Sequence, residues 1–373
     1  MHWLVLGILC LLVVALVLGE RLHRRRVEAR AYLAGVRYVL SDDPDAAIEA
    51  LSDAARLGSP EAFESYLALG ALFRRTGDLT HAIRLHKNML LRPGLLADQR
   101  AEVERELAQD YRRGGMLEEA AEVFAPLAKG GDRGAAEALR DVLVDQGRLF
   151  EAAELQRNLG TGDDPILAHL LAALARAELQ GDPARARETA RTALGAYPRS
   201  ADALLALAEA EGASGDATAA RVAALAALEA DPSAVILAWP ALAHLGPAEA
   251  LGVLDERLAR DPRNAALHLL RGRALHVAGR ETDAVPTLQR ALELDDTGEV
   301  TLAMRDLLRE ADAPNPEELA GRHDLMVSAL LRRARPMRCR RCGAEAPVRA
   351  WRCRRCGAFE SFAPSPDVAP RPA

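Results

Sequence analysis

The pattern Gly-x-x-x-x-Ala recurs along this chain at Gly77/Ala82, Gly115/Ala120, Gly147/Ala152, Gly181/Ala186, Gly215/Ala220 and Gly279/Ala284, with a shorter copy at Gly246/Ala250 and a first member at Asp42/Ala47. Successive copies start 35, 38, 32, 34, 34, 31 and 33 residues apart. A period of this length holds two helices and a turn, and one such unit cannot bury an apolar face by itself, so the copies must stack on one another. Composition agrees. Half of the 373 residues are apolar but only 4% are aromatic, which suits close helix-on-helix packing and argues against a sheet-rich fold. With 27% charged residues and a formal net charge of -6, the chain is an ordinary globular one rather than a disordered one. The expected fold class is all-α.

Each element of the repeat has a mechanical reason. A glycine ends the first helix (A) in a left-handed conformation that a Cβ would penalise, and the alanine in the second helix (B) lets the two approach closely. Leu69, Leu107, Leu139 and Leu207 stand eight positions before their glycines, and Pro93, Pro198, Pro232 and Pro262 stop several B helices. The middle copies are degenerate, with Ala173 where leucine is expected before Gly181 and one residue fewer at Gly246. The stretch YLALGALFRRTGDLTHAIRLHKNML, with Leu69-Gly70, Phe73, Gly77 and Ala82 in place, resembles the tetratricopeptide repeat family. That resemblance implies a superhelix of about eight repeats over residues 21–298, whose A helices line a concave, protein-binding face. Polar A-helix residues Arg74, Arg75, Asp110, Arg112 and Arg113 are the candidates for partner contact there.

Residues 1–20 read as a transmembrane anchor. No charge interrupts the 17 residues from 3 to 19, which as a helix would span about 26 Å of a hydrocarbon core of about 30 Å. The run lacks preceding positive charge and ends in Glu20, Arg21, His23, Arg24, Arg25 and Arg26, the reverse of a cleaved leader, so its retention is expected. Arginines on the C-terminal side alone place the rest of the chain in the cytoplasm by the positive-inside bias. Cys10 is then one more apolar side chain within the span.

Beyond the repeats, residues 299–336 read as a helical connector. Its final helix is capped by Asn315, opened by Pro316, charged in its first turn by Glu317 and Glu318, and striped by Leu319, Met326 and Leu330. Residues 337–362 follow, with Cys339, Cys342, Cys353 and Cys356 in the arrangement Cys-x2-Cys-x10-Cys-x2-Cys. Two such knuckles give one tetrahedral ion four thiolates. Two disulfides are the alternative, which a reducing cytoplasm disfavours. One zinc or iron ion is expected, since both metals use this donor set. With no coordination position left for water, the ion is structural.

Ten arginines between Arg332 and Arg355 face a single acid, Glu345. Part of that charge offsets the thiolates, and the rest suits anionic lipid, an acidic partner or, less well, nucleic acid. Trp351 is expected to pack against the knuckles. Residues 363–373, APSPDVAPRPA, are expected to be a disordered tail. No His-Glu-x-x-His, phosphate loop, dinucleotide fingerprint or Gly-x-Ser-x-Gly occurs, so neither enzymatic activity nor a small-molecule substrate is expected.

Anchor, repeats and ribbon in this order resemble the lipopolysaccharide assembly protein B family of Gram-negative bacteria. The most specific segments are YLAGVRYVLSDDPDAAIEAL, LALGALFRRTGDLTHAIRLHKNML, ELAQDYRRGGMLEEAAEVF and CRRCGAEAPVRAWRCRRCGAF, with Tyr32, Gly35, Arg74 and His86 at the family's positions. The resemblance implies a rubredoxin-like ribbon and a single-pass adaptor of the inner membrane with its body in the cytoplasm. Such an adaptor presents the deacetylase that commits to lipid A synthesis to a membrane-bound AAA+ zinc protease, and so limits lipopolysaccharide output. A general membrane-tethered scaffold for another envelope complex, and nucleic-acid binding through the basic ribbon, are the alternatives. The alanine-rich middle repeats and the proline-rich end depart from the family pattern.

Overall fold

In the computed structural model the described residues are 14–20, 22, 23, 26, 27, 30, 33, 34, 44–56, 63–160, 162–295, 298–310, 337–346 and 349–365. Most of the expected anchor, and the whole of the connector helix expected after Asn315, lie outside this set. Residues 14–20 are helical, with Val14, Leu16, Val17 and Leu18 exposed. Among the described residues no helix is long and apolar enough to cross a membrane.

The chain divides into two compact units, Met1–Arg148 and Leu149–Ala373. The first holds α1 (Pro44–Arg56), α2 (Phe63–Thr76), α3 (Leu79–Leu90), α4 (Ala97–Arg113), α5 (Leu117–Lys129) and α6 (Arg133–Asp145). The second holds α7 (Leu149–Leu159), α8 (Pro165–Glu178), α9 (Pro183–Ala196), α10 (Ala201–Ala213), α11 (Ala217–Ala230), a 3-10 helix (Pro232–Leu237), α12 (Trp239–His244), α13 (Pro247–Arg260), α14 (Ala265–Val277), α15 (Glu281–Leu294) and α16 (Glu299–Glu310). Through α15, even-numbered helices are A and odd-numbered ones are B.

Helix A ends as the sequence pattern predicts. The N–H of Gly77 bonds to Arg74 O at 3.3 Å and that of Asp78 to Phe73 O at 2.8 Å, a closure that carries Gly77 to φ 91°. The same pair of bonds closes the turns at Gly115, Gly147, Gly215 and Gly279, each with positive φ. Gly181 departs from this. Asp182 N–H reaches back only to Glu178 O at 2.8 Å, and Gly181 stays outside the left-handed region. On the B side, Ala82, Ala120, Ala152, Ala186, Ala220 and Ala284 are fully buried and Ala250 is 1% exposed. A larger side chain at any of them would force the pair apart, at a cost of about 1 to 3 kcal/mol.

The copy that ends at Gly246 has lost a regular A helix. Pro232 and Pro240 stand too close together for one uninterrupted helix, so a 3-10 turn and the short α12 replace it. Val235, Ala238, Ala241 and Leu242 still enter a large apolar cluster, together with Leu205, Leu228, Leu254 and Leu275. Past residue 298, where the sequence period lapses, α16 nonetheless packs Val300 and Met304 with Leu269 and Ala291.

The ribbon is a three-stranded antiparallel sheet of order β2-β1-β3, made of β1 (Met337–Cys339), β2 (Glu345–Ala346) and β3 (Phe362–Pro364). Ala363 and Pro364, expected in the tail, are therefore strand, pairing with Arg338 and Met337. Pro364 stands at the strand's end, where a missing N–H is tolerated.

Candidate metal centre

The two cysteine knuckles repeat one backbone design. Cys339 N–H bonds to Ala344 O at 2.8 Å and Gly343 N–H to Cys339 O at 2.9 Å, while Cys353 N–H bonds to Ala358 O and Gly357 N–H to Cys353 O, both at 2.8 Å. Gly343 and Gly357 take φ 69° and 72°, which glycine alone adopts freely. The loops bring Cys339 Sγ within 3.7 Å of Cys356 Sγ and Cys342 Sγ within 3.8 Å of Cys353 Sγ, and all four sulfurs lie within 4.8 Å of one another. A tetrahedron of metal–sulfur bonds of about 2.3 Å has edges of about 3.8 Å, whereas a disulfide closes to about 2.05 Å. The donors fit a single ion, and all four thiols are free.

Their electrostatics point the same way. Burial alone would raise the Cys339 thiol, but Ser361 Oγ at 3.1 Å and the backbone N–H groups of Cys342 and Arg341 draw it down to about 6. Burial and the neighbouring sulfurs push Cys356 up to about 12. Four adjacent thiols repel one another as they ionise, and a bound cation removes that penalty.

The ribbon is seated on the second unit. Trp351 was expected against the knuckles, but it packs on the large helical cluster instead, with its ring 5.3 Å from that of His169 in α8. Phe359 stacks on the same imidazole, also at 5.3 Å. His169 is 2% exposed; its Nδ1 lies 2.7 Å from Asp202 Oδ2 and its Nε2 lies 2.8 Å from Glu360 Oε1. Burial favours the neutral ring, but these two carboxylates outweigh it and raise the pKa to about 9. Asp202 is buried too, which alone would raise it; Arg176 at 2.7 Å and His169 hold it below the usual carboxylate range. A second join forms where Arg349 donates its backbone N–H to Glu299 and its guanidinium to Asp231 Oδ2 at 3.4 Å and Phe362 O at 3.1 Å. Burial raises the Glu299 carboxyl despite this contact. Sequence reasoning missed His169. The available signal was an imidazole among Leu167, Ala168, Leu170 and Leu171, where an uncompensated polar ring would be costly.

In the first unit, Asp110 is fully buried and accepts from Arg74 at 2.7 Å, with His86 Nδ1 2.6 Å away. Arg74 also meets Glu106 at 2.6 Å. Gly70 leaves room for the histidine, since a Cβ there would stand 2.3 Å from His86 Nε2. Arg112 pairs with Asp145 at 3.1 Å and Asp141 at 3.5 Å. The separations Arg74–Asp110, Arg112–Asp145, His169–Asp202 and Arg176–Glu209 are 36, 33, 33 and 33 residues, one repeat each. Arg74, Asp110 and Arg112 thus tie successive A helices together, whereas Arg75 and Arg113 are exposed.

The rubredoxin metal binding domain family matches residues 338–364. Lipopolysaccharide assembly protein B of Escherichia coli (strain K12) is 32% identical over 99 residues, 26% of this chain and 25% of that protein. Its counterpart in Haemophilus influenzae is 29% identical over 103 residues, 26% of each chain. The aligned part spans about a quarter of the length of these curated relatives. Among solved structures, the C-terminal part of a TPR repeat-containing protein from Cytophaga hutchinsonii is 11% identical, covering 69% of this chain and 99% of that one with a TM-score of 0.45. The tetratricopeptide repeat family matches residues 27–92, 168–235 and 237–299, just over half of the sequence. By that extent the chain belongs to the tetratricopeptide repeat family, with a rubredoxin metal binding domain whose four cysteines make one metal-ion site.

Proposed function

We propose that this chain is a non-enzymatic adaptor of the inner membrane that limits lipopolysaccharide synthesis by bringing the deacetylase committing to lipid A to a membrane-bound AAA+ protease. One combination supports the reading: a four-thiolate ribbon seated on tetratricopeptide repeats, in a chain whose curated relatives are lipopolysaccharide assembly protein B. Residues 1–20 are the anchor and the body faces the cytoplasm. Tethering to the protease's own membrane turns encounter into a local event at high effective concentration.

The repeats hold the client. In the second unit the ribbon's Glu360 meets the A-helix residue His169, whose imidazole also holds Asp202; the candidates for client contact lie on the A helices of the first unit. There Arg75 and Arg113 are exposed for contact, while Arg74, Asp110 and Arg112 hold the helices that carry them. A zinc or iron ion on Cys339, Cys342, Cys353 and Cys356 keeps the ribbon folded, and structural sites of this kind contribute about 10 to 16 kcal/mol. Depleting the protein and following the deacetylase by pulse-chase tests the reading. A half-life lengthened several-fold is expected, and an unchanged one rejects it.

A further inference from the structure

Five arginines of the ribbon are placed differently from those that tie the repeats together. In the helices, Arg74, Arg112, Arg176, Arg221 and Arg257 each end on a carboxylate. In the two Cys-Arg-Arg-Cys loops, Arg340, Arg341, Arg354 and Arg355 are exposed, and neither they nor exposed Arg338 form an ion pair among the described residues. Because the two knuckles share the same backbone bonds, the arginine pairs are displayed twice around one sulfur cluster. A divalent ion in four thiolates carries two negative charges. Those charges, Glu345 and Glu360 together do not cancel five guanidinium groups, so the loops stay positive.

Guanidinium groups bind phosphate oxygens in bidentate fashion. A nucleic acid held without sequence preference also needs aromatic platforms for its bases. The ribbon's rings are committed elsewhere: Trp351 and Phe359 lie against His169, and Phe362 is 6% exposed. A membrane surface needs only charge spread over an area, and the same chain carries the uncharged run of residues 3–19.

We propose that the twin Cys-Arg-Arg-Cys loops form a phosphate-binding face that seats the ribbon on anionic lipid headgroups, so that the chain meets one bilayer at two places. The proposal rests on the anchored reading above for its proximity to the membrane. The test incorporates the full metal-loaded chain into nanodiscs of phosphatidylcholine, alone or with one-third phosphatidylglycerol. Modification of arginines by phenylglyoxal is then read by mass spectrometry.

With phosphatidylglycerol, labelling of Arg341, Arg354 and Arg355 should fall about three-fold or more and recover at high salt, while exposed Arg263 keeps its rate. The double variant R354Q/R355Q, altered only at exposed positions, should lose the protection of Arg341. Equal labelling in both discs overturns the contact while leaving the anchor standing. Co-elution with phosphatidylglycerol discs alone, abolished in the double variant, supports the contact and rejects the anchor. A chain that joins neither disc rejects both. Protection by single-stranded RNA or polyglutamate, without protection by phosphatidylglycerol, overturns the proposal in favour of that ligand.

Discussion

His169 presents both ring nitrogens to carboxylates, and only the imidazolium can donate to two acceptors at once. Its pKa of about 9 lies above the ordinary value of 6.5, so the stabilisation it contributes is complete below about pH 6.5 and is lost as pH rises through about 9. The thermal midpoint of the protein should therefore fall between neutral and strongly alkaline pH, and the indole resonance of Trp351 should shift in step. In His169→Gln both responses should flatten across that window. At neutral pH the same variant, which leaves buried Asp202 with Arg176 as its charged partner, should lose about 3 kcal/mol in chemical denaturation. The contrast with the cysteines shows what a sequence can disclose about single residues. The ligands lie within 18 positions of one another at a spacing that a four-thiolate metal site uses. Glu360 lies 191 positions from His169, and no local pattern joins them.

Among the turns between helices, two glycines that occupy the same place in the repeat should answer differently to one methyl group. Gly77→Ala would put a Cβ on a residue at φ 91° and should cost about 1 kcal/mol. Gly181→Ala meets no such strain, and its Cβ would find only Glu178 O at 3.9 Å. Its effect in urea denaturation should lie near zero or be slightly stabilising. The paired helices were legible because the glycine and alanine positions each answer a backbone or packing demand that few other residues meet. The loss of a regular helix before Gly246 was signalled by its missing residue and by Pro232 and Pro240. The polar rungs from one A helix to the next were not legible, because Arg74 and Asp110 look like solvated surface until the fold sets them 2.7 Å apart.

For the molecule as a whole, the contacts of the ribbon with α8 and α16 predict that loss of the ion is felt in the helices of the second unit. Chelation at neutral pH should unfold residues 337–365 and raise amide exchange there and around His169 in α8. The helices α2 to α6 of the first unit should keep their protection. An unchanged exchange rate near His169 after metal removal would show that the seat does not depend on the ion. Repeat architecture and metal site could be read ahead of the structure; the seat itself could not. It is built from Arg349, Trp351, Phe359 and Glu360, each of which has an ordinary local explanation.

That seat imposes an order on biosynthesis. The second carboxylate of His169 is polymerised 191 residues after the ring it serves, and Arg349 follows its partners Asp231 and Glu299 by 118 and 50 residues. A nascent or truncated polypeptide that stops short of Glu360 keeps a half-compensated imidazole and an uncovered apolar seat.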